Sequence, residues 1–213
     1  MGGVVLCLDK SAIILAVGMQ GGFTEDKGLL KLENKPLLEY VFDAVEGFVD
    51  EIIVVTGSQE QADGYAEFTS SNVRFVVEAS GGLLDAAIAG FGAAEGKYSL
   101  LLPFDAPFVS GDVILLLFDC CIGKSAVIPR TPDCEAETMQ AVYDTKRALE
   151  AAKKALEADQ ASLEGMICKL KGVRYMSTMV IEQLDPDMRT FFTVNTPLDL
   201  KKAAVMLKPK KHR

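Results

Sequence analysis

Histidine is almost absent from this chain: among its 213 residues the only one is His212, next to the C-terminus. Catalytic triads of the Ser-His-Asp type, Cys-His nucleophiles, H-E-x-x-H zinc sites and histidine proton relays all need that side chain within the fold. Its scarcity therefore excludes these kinds of site. Any metal that the chain binds must then sit on oxygen ligands, which favours Mg²⁺ or Mn²⁺.

Paired cysteines and long apolar runs are also missing. The cysteines are odd in number and contain no C-x-x-C pair, so they predict neither a secreted disulfide framework nor a zinc site. They are Cys7, Cys120, Cys121, Cys134 and Cys168. No stretch approaches the roughly 20 apolar residues of a membrane span, and the N-terminal MGGVVLCLD lacks the basic start of a secretory signal. We therefore expect a cytoplasmic protein with no membrane partner.

Positive charge is in deficit, since the formal net charge is −8. A nucleic-acid-binding protein needs a basic face that displaces counterions from phosphates, so the charge argues against a nucleic-acid partner. The tail 208–213 is basic, and we interpret it as a disordered, solubilising end. No Pro/Gly/Ser-rich linker and no internal repeat interrupts residues 1–207, and we expect them to form a single domain.

Strand-like apolar runs alternate with stretches of helical period. The predicted strands are residues 12–16, 52–55, 73–77 and 99–102, with weaker ones at 126–128, 140–143 and 172–176, and a further strand-like run at 4–8. The predicted helices are residues 36–48, 60–69, 83–94, 146–158 and 163–170. Alternation of this kind builds a parallel sheet covered on both faces. We therefore predict a three-layer, Rossmann-like α/β fold with a mostly parallel sheet and helices on both faces.

The most informative segment is AIILAVGMQGGFTEDK, residues 12–27. A strand that ends in a glycine-rich loop and a lysine presents backbone N–H groups and a cation, which suits the phosphates of a nucleotide. The spacing of Gly18, Gly21 and Gly22 excludes the dinucleotide fingerprint G-x-G-x-x-G. Lys27 follows an aspartate rather than a glycine, which excludes the Walker A loop.

A second candidate group follows the predicted strand 99–102. Ligands of an open parallel sheet bind beyond the carboxyl ends of its strands, near a switch in strand order. Asp105, in LLPFDAPFV, follows such an end, where a carboxylate is suited to hold a metal over phosphates bound by the glycine-rich loop. The alternative from the residues alone is structural: Asp105 caps the following helical stretch 112–118 or makes an Asx-turn.

Taken together, ordered motifs along nearly the whole chain resemble the molybdenum cofactor guanylyltransferases. These form the molybdopterin-guanine dinucleotide biosynthesis protein A family, within the nucleotide-diphospho-sugar transferase fold. The family's loop is L-A-G-G-x-S-x-R-M-G-x-x-K, which residues 15–18 and Lys27 match in spacing. It continues with G-P-L, D-x-P, P-L-x-A-x-Y and N-T-P-x-D-L motifs. Their counterparts here are GGL at 81–83, DAP at 105–107, ETMQAVY at 137–143 and NTPLDL at 195–200.

The resemblance implies transfer of GMP from GTP to the terminal phosphate of molybdopterin, with Mg²⁺ as cofactor and release of pyrophosphate. It assigns these residues to the nucleotide: Leu15, Ala16, Val17, Gly18, Lys27, Glu78, Gly81 and Asp105. The backbone of 15–18 would hold the guanine, and Glu78 would stand near the ribose. Lys27 and Asp105 would be catalytic, the first neutralising phosphate charge and the second binding the metal. Asn195 would lie on the acceptor side.

The glycine-rich loop departs from the family pattern. Val17 stands where the family has a glycine, and Gly22 stands where it has an arginine, which leaves a single basic residue in the loop. One explanation is a divergent enzyme in which another cation supplies the missing charge, with Lys31, Lys35 and Arg130 as candidates. The other is a fold that has kept nucleotide affinity and lost turnover.

Two other kinds of function therefore stay open. The first is a nucleotidyltransferase with another base or acceptor: CTP with molybdopterin, or phospholactate, cobinamide phosphate or a sugar phosphate as acceptor. The second is a nucleotide- or pterin-binding adaptor whose partners are molybdoenzyme maturation proteins. The residues 195–200 favour the molybdopterin enzyme, whereas Gly22 favours the adaptor.

Overall fold

The computed structural model describes residues 9–17, 23, 25–69 and 73–208. The predicted strand at 4–8 and most of the basic tail therefore lie outside the described residues. The strands are β1 (Lys10–Ala16), β2 (Lys31–Leu32), β3 (Lys35–Pro36), β4 (Glu51–Thr56), β5 (Val73–Val77), β6 (Tyr98–Pro103), β7 (Ala126–Arg130), β8 (Ala141–Asp144) and β9 (Val173–Ser177). The α-helices are α1 (Leu37–Val45), α2 (Gln59–Ala66), α3 (Leu83–Ala93), α4 (Gly111–Cys121), α5 (Thr145–Glu157), α6 (Leu163–Lys169), α7 (Thr178–Ile181) and α8 (Pro197–Leu207).

The larger sheet has the strand order β5-β4-β1-β6-β8-β7-β9. β1 pairs in parallel with both β4 and β6, whereas β8 runs antiparallel to its two neighbours. The chain moves outward from β1 to β5 and then returns to β6, so the strand order reverses between β1 and β6. The predicted α/β fold with a mostly parallel sheet is confirmed, and each predicted strand between residues 12 and 176 overlaps a strand of this sheet.

Burial on both faces explains why the central strands are almost continuously apolar. β4 and β6 are buried at every residue, and β1 is buried from Ser11 onward. Successive side chains of a strand point to opposite faces. Ala12 and Ile14 accordingly pack in the cluster with residues of α1 and α4, and Ile13 and Leu15 in the cluster with residues of α3, α5 and α6. The helices thus form the two outer layers of the predicted three.

The α5 helix shows how local sequence builds a layer. The Asp144 carboxylate accepts a hydrogen bond from the Arg147 amide at 3.1 Å and caps the helix N-terminus. Buried alanines follow on one side of the helix, where their small side chains let α5 lie close to the sheet. They are Ala148, Ala151, Ala152 and Ala155. None of the helices that the structure describes combines the length and apolarity needed to cross a bilayer.

Helix α8 and the small β2–β3 hairpin were not predicted from the sequence. α8 begins with a capping box in which the Thr196 hydroxyl accepts from the Asp199 amide and the Asp199 carboxylate accepts from the Thr196 amide. A third apolar cluster joins the two elements through Leu32 of the hairpin and Ala203 of α8. Just before the helix, the Val194 amide donates to the Asp105 carbonyl at 2.9 Å. This contact brings the segment before α8 beside the end of β6.

Candidate active site

A buried lysine–carboxylate pair lies where the strand order reverses. Asp105 follows β6 by two residues, and Lys27 opens a short 3-10 turn that follows the loop after β1. The Lys27 Nζ lies 2.5 Å from the Asp105 Oδ2, and the two residues are 3% and 5% exposed. An ion pair this buried is costly to desolvate and so is weak evidence for a role in stability. Its position at the switch point is where open α/β sheets bind their ligands.

Asn195 joins the same group. Its Oδ1 accepts a hydrogen bond from the Lys27 Nζ at 3.3 Å, and its Nδ2 donates to the Thr193 Oγ1 at 2.9 Å. The ammonium group also lies over the ring of Phe104, 5.2 Å from the centroid. The structure therefore brings together three of the residues singled out from the sequence, which lie on separate parts of the chain. The structural alternative for Asp105 does not hold as a helix cap, because α4 begins after Ser110.

The residue before Lys27 is held by a hydrogen-bond network that the sequence did not indicate. The Asp26 Oδ1 accepts from the Tyr65 hydroxyl at 2.6 Å and from the Gly28 amide at 2.8 Å. Its Oδ2 accepts from the Gln61 Nε2 at 2.8 Å. Burial raises the pKa of Tyr65, and the nearby Asp26 carboxylate raises it further, so this phenol stays protonated as a donor. The network fixes the start of the turn that carries Lys27.

Beside this turn a cleft of about 480 Å³ opens at the carboxyl ends of β1 and β4. Its lining residues are Ala16, Val17, Asp26, Leu29, Gly57, Ser58, Glu60, Gln61, Gly81 and Phe104. Three of the residues that the resemblance assigns to the nucleotide, Ala16, Val17 and Gly81, thus line the same cleft. The volume lies within the range of small-molecule sites.

The remaining predicted nucleotide residues lie in different surroundings. The Leu15 side chain is buried in the apolar core, so only the backbone of this residue is placed to contact a nucleotide. The Glu78 carboxylate accepts hydrogen bonds from the Ser80 amide at 3.0 Å and the Ser80 hydroxyl at 2.7 Å, and Glu78 is not among the lining residues of the cleft. Gly18, like Gly22 of the same loop, lies outside the described residues.

The cations proposed to replace the loop arginine have other contacts. Lys35 forms ion pairs with Asp43 and with Glu39, the second at 3.6 Å. The Arg130 guanidinium lies 4.9 Å from the centroid of the Tyr175 ring. Lys31 is an exposed residue of β2. The cation in contact with Asp105 is Lys27, which is not one of these three candidates.

The donor set around Asp105 allows a test of whether a metal suits the site. Among the described residues there is no group of three or more His, Cys, Asp or Glu side chains that could hold an ion. An all-protein cage of the kind that calcium or zinc uses is therefore not found in this part of the chain. One carboxylate that shares an ion with substrate phosphates and water is the way in which Mg²⁺ is commonly bound. The site fits an ion that arrives with a phosphorylated ligand.

A mostly parallel α/β sheet with a lysine–carboxylate pair and a neighbouring open cleft at its switch point is typical of nucleotide-binding α/β proteins. Comparison with known families agrees, because residues 12–171 match the family model of the MobA-like NTP transferase domain. The chain belongs to this family of nucleotidyltransferases. The resemblance seen in the sequence motifs is thereby confirmed.

Named relatives and solved structures point the same way. A probable molybdenum cofactor guanylyltransferase of Methanosarcina mazei is 30% identical over 199 residues, which cover 90% of this chain and 88% of the relative. One of Methanothermobacter thermautotrophicus is 26% identical and covers 90% of this chain and 97% of the relative. The structure of molybdopterin-guanine dinucleotide biosynthesis protein A from Archaeoglobus fulgidus superposes with a TM-score of 0.77 at 21% identity, covering 92% of this chain and 97% of that one. A 4-diphosphocytidyl-2C-methyl-D-erythritol synthase from Anaerococcus prevotii gives 0.68 at 19% identity, covering 93% and 96%. Because these two solved structures are only 21% and 19% identical to this chain, their likeness shows the fold alone.

Proposed function

We propose that this chain is a molybdenum cofactor guanylyltransferase, which transfers GMP from GTP to the terminal phosphate of molybdopterin. The observation that carries the proposal is the contact of Lys27 with both Asp105 and Asn195 at the switch point. These are the residues that the resemblance assigns to phosphate, metal and acceptor. The names of the relatives that align over 90% of the chain support the same activity.

In this reaction an oxygen of the molybdopterin phosphate attacks the α-phosphorus of GTP. The new P–O bond forms as the bond to the β-phosphate breaks, and pyrophosphate leaves with the released electron pair. Such transfers need positioning and charge neutralisation more than covalent chemistry. Lys27 would neutralise charge on the phosphates, and its neighbours Asp105 and Asn195 would fix its ammonium group. The Asn195 amide would orient the acceptor against the α-phosphate.

A divalent cation is the general cofactor of nucleotidyltransferases of this kind. We propose Mg²⁺, with Mn²⁺ as the alternative, and Asp105 as its protein ligand. When bound, the ion would polarise phosphate oxygens as a Lewis acid. Asp105 is suited to this because it is a buried carboxylate that, among the described residues, faces the Lys27 side chain rather than a set of backbone donors.

The test is the binding of GTP, CTP, ATP and UTP by calorimetry with Mg²⁺ present. We expect selective binding of GTP, weakened at least tenfold in Lys27→Ala, because a charge-assisted contact to phosphate is lost. Lys97→Ala, an exposed lysine before β6, is the matched control and should bind GTP as the wild type does.

Turnover with molybdopterin and GTP, followed by pyrophosphate release, completes the test. Selective binding of CTP would assign a cytidylyl transfer instead. Selective GTP binding without any turnover, and gain of turnover on Gly22→Arg, would identify a site impaired by loss of the loop arginine. If no nucleotide binds, the guanylyltransferase proposal is wrong.

A further inference from the structure

Tyr65 has no place in the reaction proposed above, although its hydroxyl reaches the loop that carries the catalytic lysine. The residue is fully buried in α2, and its ring packs edge-on against Phe68 at 6.2 Å. Its hydroxyl donates to the Asp26 Oδ1 at 2.6 Å and accepts from the Gln61 Nε2 at 2.9 Å. We call the three residues Asp26, Gln61 and Tyr65 the Asp26 clamp.

In the clamp, the Tyr65 ring packs closely against the backbone of Gly28. Gly28, the residue after Lys27, lies against the Tyr65 ring so tightly that a Cβ there would sit 2.5 Å from the hydroxyl oxygen. The turn Lys27–Leu29 can take this position because glycine has no side chain. The Gly28 amide and the Tyr65 hydroxyl then meet on the same oxygen of Asp26. Lys27 is thus flanked on both sides by residues that Tyr65 holds.

The clamp also reaches the wall of the cleft. The Gln61 Oε1 accepts from the Gly57 amide at 2.9 Å, while its Nε2 donates to the Asp26 Oδ2 at 2.8 Å. Gly57, Gln61 and Asp26 all line the cleft. The Gln61 side chain therefore connects Gly57, which follows β4 and lines the cleft, with Asp26, which precedes the turn that carries Lys27.

We propose that Tyr65 is a positioning residue for Lys27 and acts through Asp26. The inference rests on the proposed guanylyl transfer. The clamp holds the backbone of the lysine while leaving its ammonium group on Asp105 and Asn195. Small displacements of such a group cost rate steeply, because charge stabilisation depends on where the group sits in the transition state. The nucleotide itself does not need Tyr65, since the residue is fully buried and does not line the cleft.

Tyr65→Phe is the direct test, because it removes the hydroxyl and keeps the ring. We expect kcat to fall by about tenfold, as for a misplaced catalytic group, while the KM for GTP stays within about twofold. A second readout needs no turnover: acetylation of Lys27, followed by mass spectrometry. The buried lysine should react several times faster in Tyr65→Phe, because its turn is no longer fixed.

Tyr98→Phe is the matched control. Tyr98 is also buried, and its hydroxyl accepts from the Gly123 amide at 3.1 Å at the opposite edge of the sheet. It should lose comparable stability and keep both kcat and the Lys27 labelling rate. Should Tyr65→Phe not fold, Gln61→Met, at a half-buried position, removes the bond to the second Asp26 oxygen and should lower kcat in the same direction.

The positioning role is wrong if Tyr65→Phe keeps the wild-type kcat and labelling rate, or if Tyr98→Phe changes them equally. It is also wrong if the KM for GTP rises while kcat is unchanged, since Tyr65 would then serve binding. A wild-type protein without guanylyl transfer would contradict the proposed function, and the labelling arm would still decide whether the clamp fixes Lys27.

Discussion

A buried carboxylate lies beside a cation at each end of the parallel strands of the main sheet, and the two carboxylates have different hydrogen-bond donors. We call the side where these strands begin the amino edge and the side where they end the carboxyl edge. At the amino edge, Glu51 accepts hydrogen bonds from the Ser11 hydroxyl at 2.6 Å and from the Glu95 and Gly96 amides at 2.6 and 3.0 Å, and it also forms an ion pair with Arg74. At the carboxyl edge, Asp105 meets the Lys27 ammonium group.

The difference separates a structural carboxylate, Glu51, from Asp105, which we propose as a metal ligand. The Ser11 hydroxyl and the Glu95 and Gly96 amides all bond the Oε1 atom of Glu51, and two of these three donors are fixed in the backbone. The Oε2 atom pairs with Arg74. A lysine on a four-carbon stem can exchange one anion for another, so Asp105 can be shared between the protein and a ligand. Burial alone does not distinguish the two, since Glu51 is 6% exposed and Asp105 is 5% exposed. The nature of the donors does.

The largest expected effect is on catalysis at the carboxyl edge. Asp105→Asn should lower kcat by about 10³-fold, because the variant loses the negative charge that holds a metal and orients Lys27. Steady-state pyrophosphate release with GTP and molybdopterin measures it. Asp112→Asn, an exposed acid in the first turn of α4, should leave kcat unchanged. A loss below about threefold in Asp105→Asn would contradict the role given to this carboxylate.

The next effect is on stability at the amino edge. Glu51→Gln should lower the free energy of unfolding by about 3 kcal/mol, because an amide NH₂ would face donors and Arg74 would lose its buried partner. Urea denaturation measures the change, and kcat should stay within about twofold. Glu95→Gln is the matched control, since that exposed carboxylate contacts Arg74 at 3.2 Å and should cost less than about 1 kcal/mol. A large fall in kcat in Glu51→Gln would contradict a purely structural role for Glu51.

The smallest effect is the pH dependence that Glu51 produces. Burial by itself raises the pKa of this carboxyl group, but hydrogen bonds from Ser11, from the Glu95 and Gly96 amides and from Arg74 outweigh it and leave the pKa below its ordinary 4.5. The folded protein thus binds the proton more weakly than the unfolded chain does. The stabilisation is present above the unfolded pKa and is lost as the pH falls through the folded value.

Urea denaturation from about pH 6 to about pH 3 should therefore show a steeper loss of stability in the wild type than in Glu51→Gln. Parallel curves for the two proteins would mean that Glu51 has no lowered pKa in the folded state.

Local sequence predicted the strands, and it predicted that the segments after β1 and β6 lie close together, because both depend on short-range patterns. The apolar run before residue 17 and the run before Asp105 each end at a polar or glycine-rich segment, and parallel strands bring such ends together. The contact of Lys27 with Asp105 agrees with that expectation. The local sequence could not predict the antiparallel direction of β8, because an apolar run has the same pattern in either direction.

The Asp26 clamp and helix α8 were not predicted from the sequence, for two different reasons. Asp26, Gln61 and Tyr65 have no mutual spacing that a motif can describe, since α2 and the loop meet only through the tertiary fold. The NTPLDL segment holds both the predicted acceptor residue Asn195 and a strong helix start. The Thr196–Asp199 capping box with Pro197 at the first helical position is a local signal that could have predicted α8.

The antiparallel β8 strand places a long irregular connection at the carboxyl ends of the neighbouring strands. Because β8 runs against its neighbours, the chain between Arg130 and Ala141 returns at that same edge as one irregular connection, tied back by the Glu137 amide on the Pro129 carbonyl and by the Gln140 amide on the Leu101 carbonyl. Insertions in a surface connection cost little free energy. The length of this connection can therefore change at little cost in free energy without moving β1, β6 or the Lys27–Asp105 pair.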